Sequence, residues 1–285
     1  MHEFKTYHPL VNFIYFALVI GFSCLLLHPI CLMISLVCSA VYAGMLKGWR
    51  SMLYLLPMLI ITALLNPLFN HQGITILTYL PDGNPLTLES VIYGVCAGAM
   101  VVSIICYFSC FHAVMTSDKL MCLFGKLIPS LSLVFSMTLR FVPHFIAEFK
   151  TVSAAQKHIG RDVSKIKQAL QVFSIVTTRA LEHSIETADS MKARGFGLNK
   201  RSSFSPLSFD SRDTKTLVWL MFLGVYTLVG IVFGTLSFDC FPSIQMSGFS
   251  LYSASVLLAY LLLCIHPILI EFWEVRKWET LRSKI

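Results

Sequence analysis

Six apolar runs, each close to the length a helix needs to cross a lipid bilayer, leave this chain few folds to adopt. They fall at 10–27, 29–46, 52–69, 88–112, 215–236 and 250–271. A hydrocarbon core about 30 Å thick takes roughly 20 helical residues to cross. Inside it every backbone N–H and C=O must be satisfied by the protein itself, so only helices and closed barrels can span it. The runs are continuous and lack the apolar–polar alternation of a barrel strand, so they predict helices. Composition agrees, because 56% hydrophobic residues against 13% charged over 285 positions is more apolar surface than one water-soluble core can hide. The expected fold class is all-α: a polytopic helical membrane protein with about six transmembrane helices. The first run passes through His28-Pro29 into the second with no small-residue cleavage site, which reads as an uncleaved helix and not a signal peptide.

Orientation follows from the basic residues, which are retained on the cytoplasmic side. All 22 Lys and Arg fall on one side of the six-span arrangement. Lys5 precedes the first span, Lys47 and Arg50 follow the second, Lys119 through Lys215 lie in the middle stretch, and Arg276, Lys277, Arg282 and Lys284 form the tail. The opposite loops, near 28–29, 70–87 and 237–249, hold none. Both termini are therefore expected in the cytoplasm. The same count excludes a seventh span at 128–149, since adding one would send the basic tail outside. There Ser132, Ser136, Arg140, His144 and Glu148 recur every four residues and draw a polar stripe along a helix, with Ile128, Leu131, Phe135, Leu139, Val142, Phe145 and Phe149 on the other faces. Such a helix suits a membrane interface or a position under other helices, with Arg140 hydrated or paired.

Three regions result: a four-helix transmembrane part at 1–112, a cytoplasmic region at 113–214, and two transmembrane helices with a basic tail at 215–285. The middle region predicts two long amphipathic helices, near 128–160 and 164–195. In the second, Ile166, Leu170, Phe173, Val176, Ala180, Ile185, Ala188 and Met191 share one side, opposite Lys165, Arg179, Glu182, Glu186, Asp189 and Lys192. It stops at Gly195, which tolerates the left-handed conformation, with Lys192 and Arg194 at the negative end of the helix dipole. The first helix ends in a similar way at Lys157-His158-Ile159-Gly160, so Lys157-x-x-Gly160 and Lys192-x-x-Gly195 echo each other 35 residues apart. By spacing alone these are two glycine caps with basic partners.

The nine cysteines lie mostly within apolar runs and form no C-x-x-C pair, which predicts packing residues, without disulfides or zinc. The nine histidines give no His-x-x-x-His, so no metal site is expected; His8, His28 and His266 each precede proline and read as helix-end residues. Gly94-x-x-x-Gly98 allows close approach of two helices and reads as internal packing. The net charge of +7 is accounted for by positive-inside topology and anionic lipid, with no nucleic-acid face. Acidic residues lie outside the spans or at their ends, Glu89 and Glu271 coming nearest, so no proton or ion site is visible within the bilayer. No Gly-x-x-x-x-Gly-Lys phosphate loop is present, so the chain is not expected to hydrolyse ATP.

Taken together, Thr138-Leu139-Arg140-Phe141-Val142-Pro143, Ala154-Ala155-Gln156, and Ser190-Met191-Lys192-Ala193-Arg194-Gly195-Phe196-Gly197 resemble the transmembrane T component of energy-coupling factor (ECF) transporters. Phe4-Lys5-Thr6-Tyr7-His8-Pro9 with Asn12-Phe13, and the loop Asp82-Gly83-Asn84-Pro85-Leu86-Thr87, add to the likeness. The resemblance implies a non-catalytic scaffold in a bacterial or archaeal cytoplasmic membrane. It would couple ATP hydrolysis by two cassette ATPases to a small substrate-binding membrane subunit, for uptake of a vitamin, related micronutrient or metal ion. The chain itself would bind no cofactor; ATP would be used by its partners. In that family an Ala-Arg-Gly at each coupling-helix tip enters an ATPase groove. Here Ala193-Arg194-Gly195 keeps the second tip whole, and Arg194 is the residue expected to grip a carboxylate. At the first tip the arginine is replaced, giving His158-Ile159-Gly160. That leaves an apolar contact by Ile159, a substitute cation from Arg161 or Lys157, or no docking there; an asymmetric pair suits two non-identical ATPases. Arg140 and Pro143 are expected to set the geometry of the first coupling helix. A membrane-embedded transferase or protease and a stand-alone permease are the alternatives.

Overall fold

The computed structural model describes residues 3–49, 55–70, 73–79, 85–125, 129–159, 164–196, 209–241, 243–246, 248 and 250–282. A short 3-10 turn at Glu3–Thr6 leads into α1 (Pro9–Leu25), α2 (Pro29–Lys47) and α3 (Leu55–Phe69). A hairpin of β1 (Ile76–Tyr79) and β2 (Pro85–Thr87) precedes α4 (Leu88–Val114). Then come α5 (Ser117–Gly125), α6 (Pro129–Ile159), α7 (Lys165–Ala193), α8 (Ser211–Val232), a second small hairpin of β3 (Phe238–Asp239) and β4 (Gln245–Met246), and α9 (Leu251–Arg282). The protein is all-α and polytopic. α2, α4, α8 and residues Leu251–Glu274 of α9 are long and apolar enough to cross a membrane; α1 and Pro57–Phe69 of α3 are shorter apolar helices. Each of the six apolar runs thus carries a helix, and 129–149 lies within α6, outside the candidate spans among the described residues; Ile128 lies outside the described residues.

The chain packs as two units, one of Met1–Ser117 with Ser208–Ile285 and one of Asp118–Leu207. In the first, α4 packs against α1, α2 and α3, while α9 packs against α2 and α8. The core gathers the aromatic and small polar residues of the apolar helices, because lipid rewards turning polar groups inward and pairing them there. Phe4 lies edge-on to Tyr15, with ring centroids 5.4 Å apart, and the Tyr15 hydroxyl donates to the Cys264 carbonyl at 3.2 Å, tying α1 to α9. Ser23 and Ser35 share a hydrogen bond of 2.8 Å between α1 and α2. Seven of the nine cysteines are buried and all nine are free thiols, as expected of packing residues. Gly94 and Gly98 face α3 at close range: a Cβ at 94 would sit 2.7 Å from the Ala63 carbonyl oxygen, and one at 98 would sit 3.2 Å from that of Leu59. The glycine pair is therefore an internal helix contact.

His8 and His28 are N-cap residues, of α1 and α2. His266 departs from the expectation. It lies inside α9, which continues through Pro267. The restriction that proline places on its predecessor marks a probable boundary, and membrane helices often override it because the surrounding protein re-satisfies the freed backbone. The candidate span of α9 runs to Glu274, so the buried Glu271 lies in its last turn.

Burial beside Phe238 pushes the His28 imidazole pKa below its ordinary value, and its Nδ1 has no partner, so the folded state holds it neutral. For a base with a depressed folded pKa, the stabilisation is complete above the unfolded value of 6.5 and is lost as pH falls through the folded pKa. The melting temperature of the detergent-solubilised chain is expected to fall between about pH 7 and pH 5, and less steeply in His28→Gln.

Candidate functional site

The second unit is built on α6 and α7, and its most sharply defined feature is the end of α7. Gly195 adopts φ +81°, donating its N–H to the Lys192 carbonyl at 3.0 Å, while the Phe196 N–H donates to Met191 at 3.0 Å. These two bonds form a Schellman cap, which satisfies the last carbonyls of the helix and turns the chain away from its axis. Arg194 is the cap residue, with φ −83° and ψ 8°, and its N–H returns to Ser190 at 3.1 Å. Its side chain and that of Ala193 are exposed, so the guanidinium stands at a tip whose cap is formed by these backbone bonds. Gly195→Ala forces a Cβ into the left-handed region at a cost of about 1–2 kcal/mol. The variant is expected to fray the last turn, seen as faster amide exchange at 192–196 with the rest of α7 unchanged.

α6 runs without a break through Pro143 to Ile159, and His158 is exposed in its last turn. Gly160, Arg161 and the side chain of Ile159 lie outside the described residues. α7 resumes at Lys165 after Ser164.

Three contacts set the alignment of the two helices. Arg179 Nη1 meets Glu148 Oε1 at 3.1 Å, the His183 ring lies 5.5 Å from Phe141 edge-on, and it lies 5.3 Å from His144. As the α6 number rises the α7 number falls, so the pair is antiparallel. Among the described residues of these helices, Val152 and Val172 are the buried apolar ones. Counting 10 residues from Glu148 to His158 and 15 from Arg179 to Arg194 at about 1.5 Å each places the two tips on the order of 35 Å apart, at opposite ends of the pair. Two of the five residues of the expected polar stripe, His144 and Glu148, thus form a seam between helices.

The apolar rows point elsewhere. Phe135, Leu139, Val142, Ile146 and Phe149 on α6 and Ile166, Leu170, Phe173, Leu181 and Ile185 on α7 are exposed, Phe173 by 67%. Exposed apolar surface on this scale marks an interaction face. Glu148 and Arg179 are 18% and 56% exposed, so their pair contributes no more than about 1 kcal/mol. Glu148→Arg is expected to lower the melting temperature slightly, and the swap Glu148→Arg with Arg179→Glu to restore it.

Residues 1–204, which contain both tips and all of α6 and α7, match the family model CbiQ, described as cobalt transport protein. The chain belongs to the CbiQ family. It is similar to two proteins named energy-coupling factor transporter transmembrane protein EcfT. The one from Staphylococcus aureus (strain 04-02981) is 29% identical over 106 residues, 35% of this chain and 40% of the relative. The one from Streptococcus equi subsp. equi (strain 4047) is 26% identical over 103 residues, 34% of this chain and 38% of the relative. The chain thus spans about two-fifths of the length of the curated relatives it matches.

Within this CbiQ-family fold, the structure holds Ala193, Arg194 and Gly195 together at one capped tip, and places His158 in the last turn of α6. Arg140 is exposed on α6, two turns before Glu148, and Pro143 is accommodated inside the helix. The sequence reading missed the seam of Phe141, His144, Glu148, Arg179 and His183. Its only trace is spacing: Phe141, Phe145, Glu148 and Val152 on α6, and Val172, Arg179 and His183 on α7, recur at helical intervals with mixed polarity.

Proposed function

We propose that this chain is the transmembrane scaffold of an ECF-type importer and joins two cassette ATPases to a separate substrate-binding membrane subunit. The observation that carries the reading is one antiparallel helix pair with a candidate docking tip at each end and its apolar rows uncovered. Arg194 enters a groove of one ATPase, where its fork of donors grips a carboxylate bidentately. The tip at His158-Ile159-Gly160-Arg161 meets the other through a weaker contact, which suits non-identical ATPases. α6 and α7 carry the movement of the ATPases as near-rigid levers, with Arg140 and Pro143 setting the geometry of α6. Their apolar rows receive the substrate-binding subunit, which selects a vitamin, related micronutrient or metal ion. Both termini and this unit face the cytoplasm, as the basic residues require.

The chain has no catalysis of its own on this reading. The purified chain in liposomes is expected to show neither ATP hydrolysis nor solute uptake, and to support ATP-driven uptake only when its ATPases and substrate-binding subunit are added. Uptake or turnover by the chain alone would overturn the proposal in favour of a permease or an embedded enzyme.

A further inference from the structure

Two histidines meet across the seam of α6 and α7. The rings of His144 and His183, one from each helix, have centres 5.3 Å apart and planes inclined at 40°. Two imidazoles that bind one ion through nitrogens about 2.0–2.1 Å from it have ring centres roughly 4.5–5.5 Å apart, from a right-angled to a tetrahedral arrangement. The observed spacing falls in that range. A local motif such as His-x-x-x-His cannot reveal this pair, because its members lie on separate helices and meet only through antiparallel packing.

Their neighbours position the rings. Phe141 meets His183 edge-on at 5.5 Å. Glu186 Oε2 lies 4.0 Å from His183 Nδ1, close enough for a small rotation of this exposed side chain to complete a hydrogen bond. A carboxylate on one ring nitrogen fixes the tautomer and leaves the other, here Nε2, to accept a metal, which is the usual support of a metal-bound histidine. One helical turn away, the 3.1 Å pair of Arg179 and Glu148 neutralises the Arg179 charge and sets the register of the two helices. An ion can reach the rings, since His144 is exposed and the His183 side chain is 42% exposed. Among the described residues no three His, Cys, Asp or Glu side chains converge as a metal set, so the pair offers two ligands and leaves the other positions to water.

We propose that His144 and His183 form a two-histidine site for a late first-row divalent metal ion such as nickel, copper or zinc. Imidazole nitrogen is the ligand these ions favour. Structural zinc sites close all four positions with protein ligands, so two ligands at an exposed seam make an exchangeable site. His144 lies near the middle of α6 (Pro129–Ile159) and His183 in the second half of α7 (Lys165–Ala193), so a bound ion staples the two helices away from their ends. Both ligands belong to this chain, so the site needs no partner to form.

The test is calorimetric titration of the full-length chain in detergent, purified on a tag that contains no histidine, with nickel(II) chloride. Saturable binding of one ion per chain is expected. His144→Gln and His183→Gln are each expected to abolish it, and Glu186→Gln to weaken it by about 10-fold, as loss of an outer-shell carboxylate does. His112, an exposed histidine outside the pair, supplies the control, and His112→Gln is expected to bind as the parent chain does. Binding that survives either substitution in the pair, or that His112→Gln weakens as much, would overturn the proposal. On the unsubstituted chain, nickel is expected to slow amide exchange, read by mass spectrometry, around 140–148 and 179–187 while the ends of both helices stay unchanged. Exchange that nickel leaves unaltered throughout α6 and α7 would overturn it independently of any substitution.

Discussion

An Arg194→Ala chain is expected to lose its ATPase from detergent extracts while keeping its helix content and its place in the membrane. The two effects separate because the Schellman cap is made by backbone atoms of Met191, Lys192, Gly195 and Phe196, and the exposed guanidinium holds none of it. Truncating one partner of a buried, hydrogen-bonded charge pair costs about 2–5 kcal/mol, a weakening of roughly 30-fold or more. Arg194→Lys keeps the charge and loses the planar fork, so partial retention is expected. Ile159→Ala is expected to leave co-purification unchanged. Equal loss from Arg194→Ala and Ile159→Ala would contradict the asymmetric pair of contacts.

The second large effect is expected at Gly94. A side chain there meets the Ala63 carbonyl oxygen at 2.7 Å, the Asn66 Cβ at 3.1 Å and the Pro67 Cδ at 3.2 Å. The first of these is backbone, so relief requires α3 and α4 to part. Overpacking of a fitted core costs about 1–3 kcal/mol and more when backbone must move. Gly94→Ala is expected to reduce the yield of monodisperse protein in size-exclusion chromatography, and Gly94→Leu to abolish it. Gly21 in α1 is the matched control, with nothing within 4 Å of its added Cβ, and Gly21→Ala is expected to be neutral. Loss of the fold from Gly21→Ala, or a normal profile for Gly94→Leu, would refute the close α3–α4 contact.

The membrane bundle was legible because lipid imposes a simple rule: a long apolar run must satisfy its backbone internally, and a helix does so locally. The end of α7 was legible for the same kind of reason, since a glycine after basic residues is a local stop signal realised at Gly195. What could not be read is what each face of α6 and α7 meets. Periodicity shows that Leu170 and Phe173 share a side that avoids water, but not that Arg179 and His183 hold the helix pair while that side stays open. Nor does local sequence show the β1–β2 hairpin, whose geometry depends on Glu89 reaching back to Thr75 across 14 residues. His266-Pro267 misled because the signal for a helix end is local, while the continuation of α9 is fixed by its packing.

The most direct measurement is an affinity tag on this chain alone, detergent extraction from the membrane in which it is naturally made, and quantitative mass spectrometry of what is retained. The account predicts two different cassette ATPases in equal amounts and a small hydrophobic membrane protein. Intact tagged chain that retains no nucleotide-binding partner would contradict it.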